Sequence, residues 1–225
     1  MKSYFYFLIS IIVIVSSIIL FISYQDAQRS TALIKHIAKI NTKQNIKNIA
    51  LAVKYYNDTY PSDLTYPAPN TNHETLNWRV RLLPFLGEHI LYQKIISDHQ
   101  SKEGNSIEGW MRYTPSVYIS PEGKLTEEVD YASGMTSIFL IRLSKKELIE
   151  AYKNFYPHME YIYKAYQDLD EKELAEESLF VVEAPRIVEN WIKHQTNIDD
   201  PKFKHRILSM KNTYLADQDG NVWSK

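Results

Sequence analysis

The residues best placed to do chemistry lie near the C-terminus, in Asp217-Gln218-Asp219-Gly220-Asn221. This run puts oxygen ligands at alternate positions, as the start of a calcium loop does. The bidentate Glu that closes such a loop at its twelfth position would fall beyond Lys225, so a plain turn is the expectation. The seven His (36, 73, 89, 99, 158, 194 and 205) form no His-x-x-x-His or His-Glu-x-x-His pair, so surface positions are expected for them. Glu171, Glu173, Glu176 and Glu177 make a charge run, read as a solvated helix face. Catalytic carboxylates need burial to shift their pKa. Trp78, Trp110, Trp191 and Trp223 have the faces for a sugar platform, but core packing is the favoured use. Lys35, Lys39, Lys43 and Lys47 recur every fourth residue and read as the solvent face of a helix, or as attraction to anionic headgroups.

Several chemistries are excluded by composition. The sequence has no Cys, hence no disulfide, thiolate metal site or Cys nucleophile. Gly is scarce, with six residues, and no phosphate loop, Gly-x-Gly-x-x-Gly or Gly-x-Ser-x-Gly occurs. A net charge of −1 gives no basic field for nucleic acid, so no nucleic-acid partner is expected. No catalytic residue, cofactor or metal ligand is assigned, and no enzyme activity is expected.

The elements that must position these residues begin with one long helix. From Ser3 to Gln25 there is no charge, and the run Phe7–Val15 followed by Ile18–Ile22 is apolar. About 20 apolar residues span a hydrocarbon core. Ser3–Gln25 therefore reads as a transmembrane anchor in contact with the lipid bilayer, and as longer than a cleaved signal peptide's core. No Pro or Gly interrupts Ser3 to Tyr60. Apolar residues continue at helical spacing through Leu33, Ile37 and Ile40, then Ile46, Ile49, Val53 and Tyr56. One helix of about 80 Å at 1.5 Å per residue is predicted, with Lys47 and Lys54 off its apolar stripe. The basic residues after the span favour that side staying inside the cell.

Pro61 ends this helix, and a Pro-rich surface loop runs to His73. Leu76–Leu86 fits a strand or a short helix, and Glu88–His99 reads as a helix. Ser101–Gly109 is a polar loop. Ser116–Ser120 is β-prone and closed by a turn, Pro121-Glu122-Gly123-Lys124. Ser137–Leu143 and Leu179–Glu183 are buried strands. Between them Ser144 and Glu147 make a capping box opening a helix to about Tyr156. Helical segments follow at Tyr161–Tyr166 and Asp170–Ser178. The C-terminus is a hairpin around Asp219-Gly220. Helix first, then strands with helical insertions, indicates an α+β class.

Two blocks carry a family resemblance. Asn45-Ile46-Lys47-Asn48-Ile49-Ala50-Leu51-Ala52-Val53-Lys54-Tyr55-Tyr56 and Asn77-Trp78-Arg79-Val80-Arg81-Leu82-Leu83-Pro84-Phe85-Leu86 resemble the prepilin-like, membrane-anchored proteins abundant in planctomycetes. The domain of that family has no assigned function and is also catalogued as a solute-binding type. Phe180-Val181-Val182-Glu183 resembles the family's apolar strand ending in Glu, and Tyr214–Val222 its Asp-Gly hairpin. The resemblance marks Asn45, Asn48, Tyr55, Trp78, Arg79, Leu83, Pro84, Asp219 and Gly220 as structural motif residues. It implies a pilin-like fold, α+β, with a long N-terminal helix packed on an antiparallel sheet with helical insertions. The sequence lacks the Gly and the fifth-position Glu of a type IV prepilin at its apolar run, so the N-terminal segment is expected to be retained.

These readings give an anchor at 1–25, an amphipathic helix at 26–60 and a soluble domain at 61–225. The expected function is structural. The chain would be a pseudopilin-like envelope protein of the bacterial inner membrane, related to pilus or type II secretion components. Its domain would be extracytoplasmic, its partners other membrane proteins or copies of itself. A solute- or glycan-binding module, a membrane-tethered hydrolase using His205 with Asp217 or Asp219, and an accessory subunit of a membrane complex are the alternatives.

Overall fold

The first helix, α1, runs Lys2–Thr59. It ends just before Pro61, with a last bond from the Tyr60 amide to the Tyr56 carbonyl (2.8 Å). In the computed structural model the described residues are 2–60, 64, 76–100, 107–126, 131–155, 171–184, 187–191 and 198–224, without the side chains of 2–12, 107, 108, 111, 126, 132, 151, 152, 154, 155, 171, 174 and 190. The loop from Pro61 to His73 (Leu64 apart), the first six residues of the Ser101–Gly109 loop, the segment Tyr161–Tyr166, and His73, His158 and His194 lie outside them.

The chain divides into two compact units, Met1–Ile40 and Asn41–Lys225. The first is helix alone. Ile18, Ile19, Leu20 and Phe21 are exposed (53–70%), as are Leu33, Ile37 and Ile40. Two of its hydroxyls bond back to the preceding turn, Ser17 Oγ donating to the Val13 carbonyl (2.8 Å) and Thr31 Oγ1 to that of Ala27 (2.9 Å). Among the described residues, no helix is long and apolar enough to cross a membrane.

The second unit is built on a four-stranded antiparallel sheet. Its strands are β2 (Ile138–Ser144), β3 (Glu177–Glu183), β5 (Tyr214–Ala216) and β6 (Val222–Ser224), in the order β2-β3-β5-β6. A separate pair joins β1 (Met135–Thr136) to β4 (Glu189–Asn190). The register sets Leu140 beside Val181 and Ala216, and Phe139 beside Val182 and Leu215. Alternation with period two then sends each set to its own face. Ile138, Leu140, Val181 and Ala216 join Ile46, Ile49, Ala50, Val53 and Tyr56 of α1 in one core. Phe139, Ile141, Phe180, Val182 and Leu215 join Phe203 and Ile207 of the helix Pro201–Ser209, and Leu148, in another. The helix carrying Leu148, α5, spans Lys145–Phe155. The sheet is buried on both faces at its centre, so residues 138–141 and 179–182 of its two longer strands are apolar throughout.

Some local expectations are corrected. Leu76–Leu86 is helical, with α2 at Trp78–Leu82 followed by a 3₁₀ turn at Leu83–Leu86. Asn77 caps α2, its Oδ1 accepting from the Arg79 amide (2.8 Å). The helix expected at Glu88 is α3, His89–Gln100. Ser116–Ser120 is not a strand, since Ser116–Tyr118 forms a 3₁₀ turn closed by Tyr118 N–H to the Pro115 carbonyl. Pro121–Lys124 is not a bare turn but the start of α4, Pro121–Thr126. Ser120 is its cap, with Oγ accepting from the Gly123 amide (3.0 Å), and Pro121 takes the first helical position, where its missing N–H costs nothing. The helix expected over Asp170–Ser178 is described at Glu171–Ala175, and β3 begins at Glu177.

Candidate functional site

Arg79 stands where the second sequence block meets the sheet. It is fully buried. Its guanidinium donates to the Ile138 carbonyl from Nε (3.1 Å) and from Nη2 (2.5 Å), and Nη2 also reaches Glu189 Oε1 (2.5 Å). Nη1 reaches the Trp191 carbonyl (3.5 Å). The guanidinium lies 4.6 Å from the Trp78 ring centroid. The Tyr118 hydroxyl donates to the Arg79 carbonyl. Burial lowers the Arg79 pKa, and the neighbouring Glu189 works against that shift. Arg79 therefore ties α2 to β2 and β4. Beside it Trp78 packs edge-on against Tyr118, which stacks on Trp191. Leu83 is buried at the start of the 3₁₀ turn, and Pro84 follows it in the first turn, where a missing N–H costs nothing.

The first block lines a groove. Asn45, Asn48, Leu51, Ala52 and Tyr55 of α1 face Phe85, Leu86 and Val117 across a cavity of about 290 Å³. Asn45 Nδ2 donates to the Ile119 carbonyl (3.0 Å), and Asn48 Oδ1 accepts from Gln44 Nε2 (2.8 Å). Asn45 Oδ1 and Asn48 Nδ2 are thus an acceptor and a donor one turn apart, over an apolar floor. Tyr55 is 58% exposed at one end.

The C-terminal hairpin closes on the same helix. Asp217 Oδ1 accepts from the amides of Asp219 (3.0 Å) and Asn221 (2.9 Å), and its Oδ2 from Asn221 Nδ2 (2.8 Å). Asp219 pairs with Lys54 at 2.9 Å. Both carboxylate oxygens of Asp217 are thus engaged within the turn, whereas Asp219 reaches out of it to α1. Gly220 has φ +81°, and a Cβ there would meet Lys47 Cε at 3.1 Å and Leu51 Cδ2 at 3.4 Å. Lys47 and Lys54 therefore face the hairpin, which corrects the expectation of a purely solvated flank. His205 is exposed on its helix, and no described contact joins it to Asp217 or Asp219. Glu173, Glu176 and Glu177 are exposed, as a solvated charge run requires. Among the described residues no group of three or more His, Asp or Glu side chains is placed to hold a metal ion.

Residues 39–164, more than half of the 225, match a family described as "Protein of unknown function (DUF1559)". The chain belongs to this family. No curated protein and no solved structure is found to match it. The DUF1559 match takes in the last third of α1, together with α2 and α5, and so both sequence blocks, Arg79 and the groove. It stops short of β3, of Glu189 and of the hairpin.

Sequence reasoning missed Glu183 as more than a strand end. It follows Leu179 and Val181 on the face that packs against α1, and none of it is exposed. Neither carboxylate oxygen has a hydrogen-bond partner of ordinary geometry. Burial pushes its pKa up to about 8, the Ser120 hydroxyl pulling it partly back and Glu122 adding to the rise. The alternation of the strand could have flagged a Glu at a core position.

Proposed function

We propose that this DUF1559 chain is a pseudopilin-like envelope protein without chemistry of its own, anchored in the bacterial inner membrane by Ser3–Gln25 and working through contacts between helices. One observation carries the reading. The first unit presents Val13–Phe21 with its large apolar residues exposed on all sides, then continues an exposed stripe through Leu33, Ile37 and Ile40. A surface helix with such a stripe needs an apolar covering. Lipid suits the uncharged run, which begins at Ser3. Helices of other membrane proteins or of further copies suit the stripe beyond it. The domain would then sit outside the cytoplasm. The second sequence block supports this reading, since Trp78, Arg79 and Leu83 join the domain's core rather than a solvent-facing site. Carbonate washing of membranes tests the anchor. The chain should stay in the pellet, and release into the wash would contradict an integral anchor.

A second reading, an extracytoplasmic solute- or glycan-binding module, is favoured by the groove between Asn45, Asn48 and Phe85. Its amide donor and acceptor, apolar floor and exposed Tyr55 would suit an amide-bearing sugar or peptide. Saturable calorimetric binding of N-acetylated sugars, lost in Asn48→Ala, would favour it over the first.

A further inference from the structure

The face of the sheet toward α1 is apolar until β3 reaches Glu183, and there oxygen replaces carbon. Glu183 stands opposite Tyr214 on β5. The Tyr214 hydroxyl donates to a carboxylate oxygen of Glu122, on α4. The Glu122 amide donates to Thr42 Oγ1 (3.0 Å), which lies 3.4 Å from Ser120 Oγ. Tyr131 Oη accepts from the Ser120 amide (3.1 Å) and lies 3.4 Å from Ser137 Oγ. Thr42, Ser120, Ser137 and Glu183 are all at most 1% exposed. The close approach of Tyr131 depends on Gly123, where a Cβ would stand 2.7 Å from the Tyr131 hydroxyl.

We propose that this cluster is a divalent cation site, with calcium as its ion. Glu183 and Glu122 would be the charged ligands, and the hydroxyls of Ser120, Ser137 and Thr42 would be neutral ones. The donor set is entirely oxygen, as a hard cation requires. It combines two carboxylates with hydroxyls and is not a bare acidic patch. Two carboxylates balance one divalent ion, whereas a monovalent ion would leave a buried negative charge. A set drawn largely from side chains favours calcium over magnesium, which keeps several of its waters. The Glu183 side chain is the second, independent observation: it is wholly buried, neither oxygen has a hydrogen-bond partner of ordinary geometry, and a buried carboxylate that stays charged is paired or bound to a metal. The ligands come from α1, α4, the segment before β2, and β3, so an ion there would fasten the helix to the sheet.

The test uses the full chain in detergent, stripped with EDTA. Terbium is the first probe, since Tyr131 and Tyr214 would sensitise its emission. Calcium should displace terbium and raise the melting temperature saturably, more than magnesium at equal ionic strength. Glu183→Gln should fold yet lose both signals, and Glu122→Gln should weaken calcium at least tenfold. Asp219→Asn, in the hairpin, should change neither. The proposal is overturned if calcium gives no saturable effect, if the effect survives Glu183→Gln, or if Asp219→Asn removes it.

Discussion

Glu183 and Tyr214 face each other in register across β3 and β5, both buried beneath α1, and the Tyr214 hydroxyl is spent on Glu122. Burial raises the Glu183 pKa from 4.5 to about 8, and the Ser120 hydroxyl offsets only part of that rise. The folded chain therefore binds one more proton than the unfolded chain between those values. Stability should be highest below about pH 4.5 as far as this group is concerned, and should fall as pH rises toward 8. The limiting slope is about 1.4 kcal/mol per pH unit. Urea melts of the EDTA-treated chain across this window should show the fall, and Glu183→Gln should flatten it. A wild-type curve as flat as the variant's would contradict the assignment.

The stripe Ile46, Ile49, Val53 and Tyr56 is buried against the sheet. Ile49→Ala removes a branched side chain with no exposed surface and should cost about 2–5 kcal/mol. Asp58→Ala, at an exposed position of the same helix, should cost less than about 0.5 kcal/mol. Equal, small effects in thermal melts would mean that the helix does not pack on the domain.

Gly220 holds a left-handed conformation at φ +81° beside the Lys47 stem. Gly220→Ala should destabilise by about 1–2 kcal/mol, and Gly220→Asn by less, because Asn tolerates that region. Combining Gly220→Ala with Lys47→Ala should not restore stability, since the strain lies in the backbone. Full recovery in the double variant would place the cost in the contact with Lys47 instead.

Arg79 serves two carbonyls and Glu189 with one planar fork. A lysine cannot reproduce that geometry. Arg79→Lys should cost more than Glu189→Gln, whose side chain is already 24% exposed. Removing the guanidinium altogether should approach the 3–5 kcal/mol typical of a broken buried pair. A melting temperature unchanged in Arg79→Lys would contradict its role in joining α2 to β2.

Much of this architecture was legible locally. The capping box is present, the Ser144 amide donating to Glu147 Oε2 (2.8 Å) and the Glu147 amide to Ser144 Oγ (3.2 Å). Lys204 adds a cation 3.3 Å from Glu147, and Ser144 and Lys204 together hold that carboxyl below its usual range although burial pushes the other way. The two apolar strands and the Asp-Gly hairpin were equally plain, because each is set by neighbours in sequence. Pro121-Glu122-Gly123-Lys124 reads as a turn in the sequence, although Ser120 before Pro121 is also how a helix starts. The Glu183 cluster was not legible at all. Its members, Thr42, Ser120, Glu122, Tyr131, Ser137 and Tyr214, are far apart in sequence, and only the strand register and α4 bring them together. The groove was half legible: Asn45, Asn48 and Tyr55 stood out as motif residues, but their meeting with Phe85 and Val117 depends on tertiary packing.

The central claim is that the exposed stripe of the first unit beyond the uncharged run is covered by another helix. The sequence has no Cys, so a single introduced thiol reports one position without background. Ile37→Cys lies on the stripe with Leu33 and Ile40, and Lys39→Cys lies on the opposite face of the same turn. Intact membranes carrying each variant would be treated with a short homobifunctional maleimide and with a mild oxidant, then resolved by mass. The account predicts a discrete dimer or heteromeric adduct at Ile37→Cys and little at Lys39→Cys. Equal yields at both positions, or none at either, would contradict it.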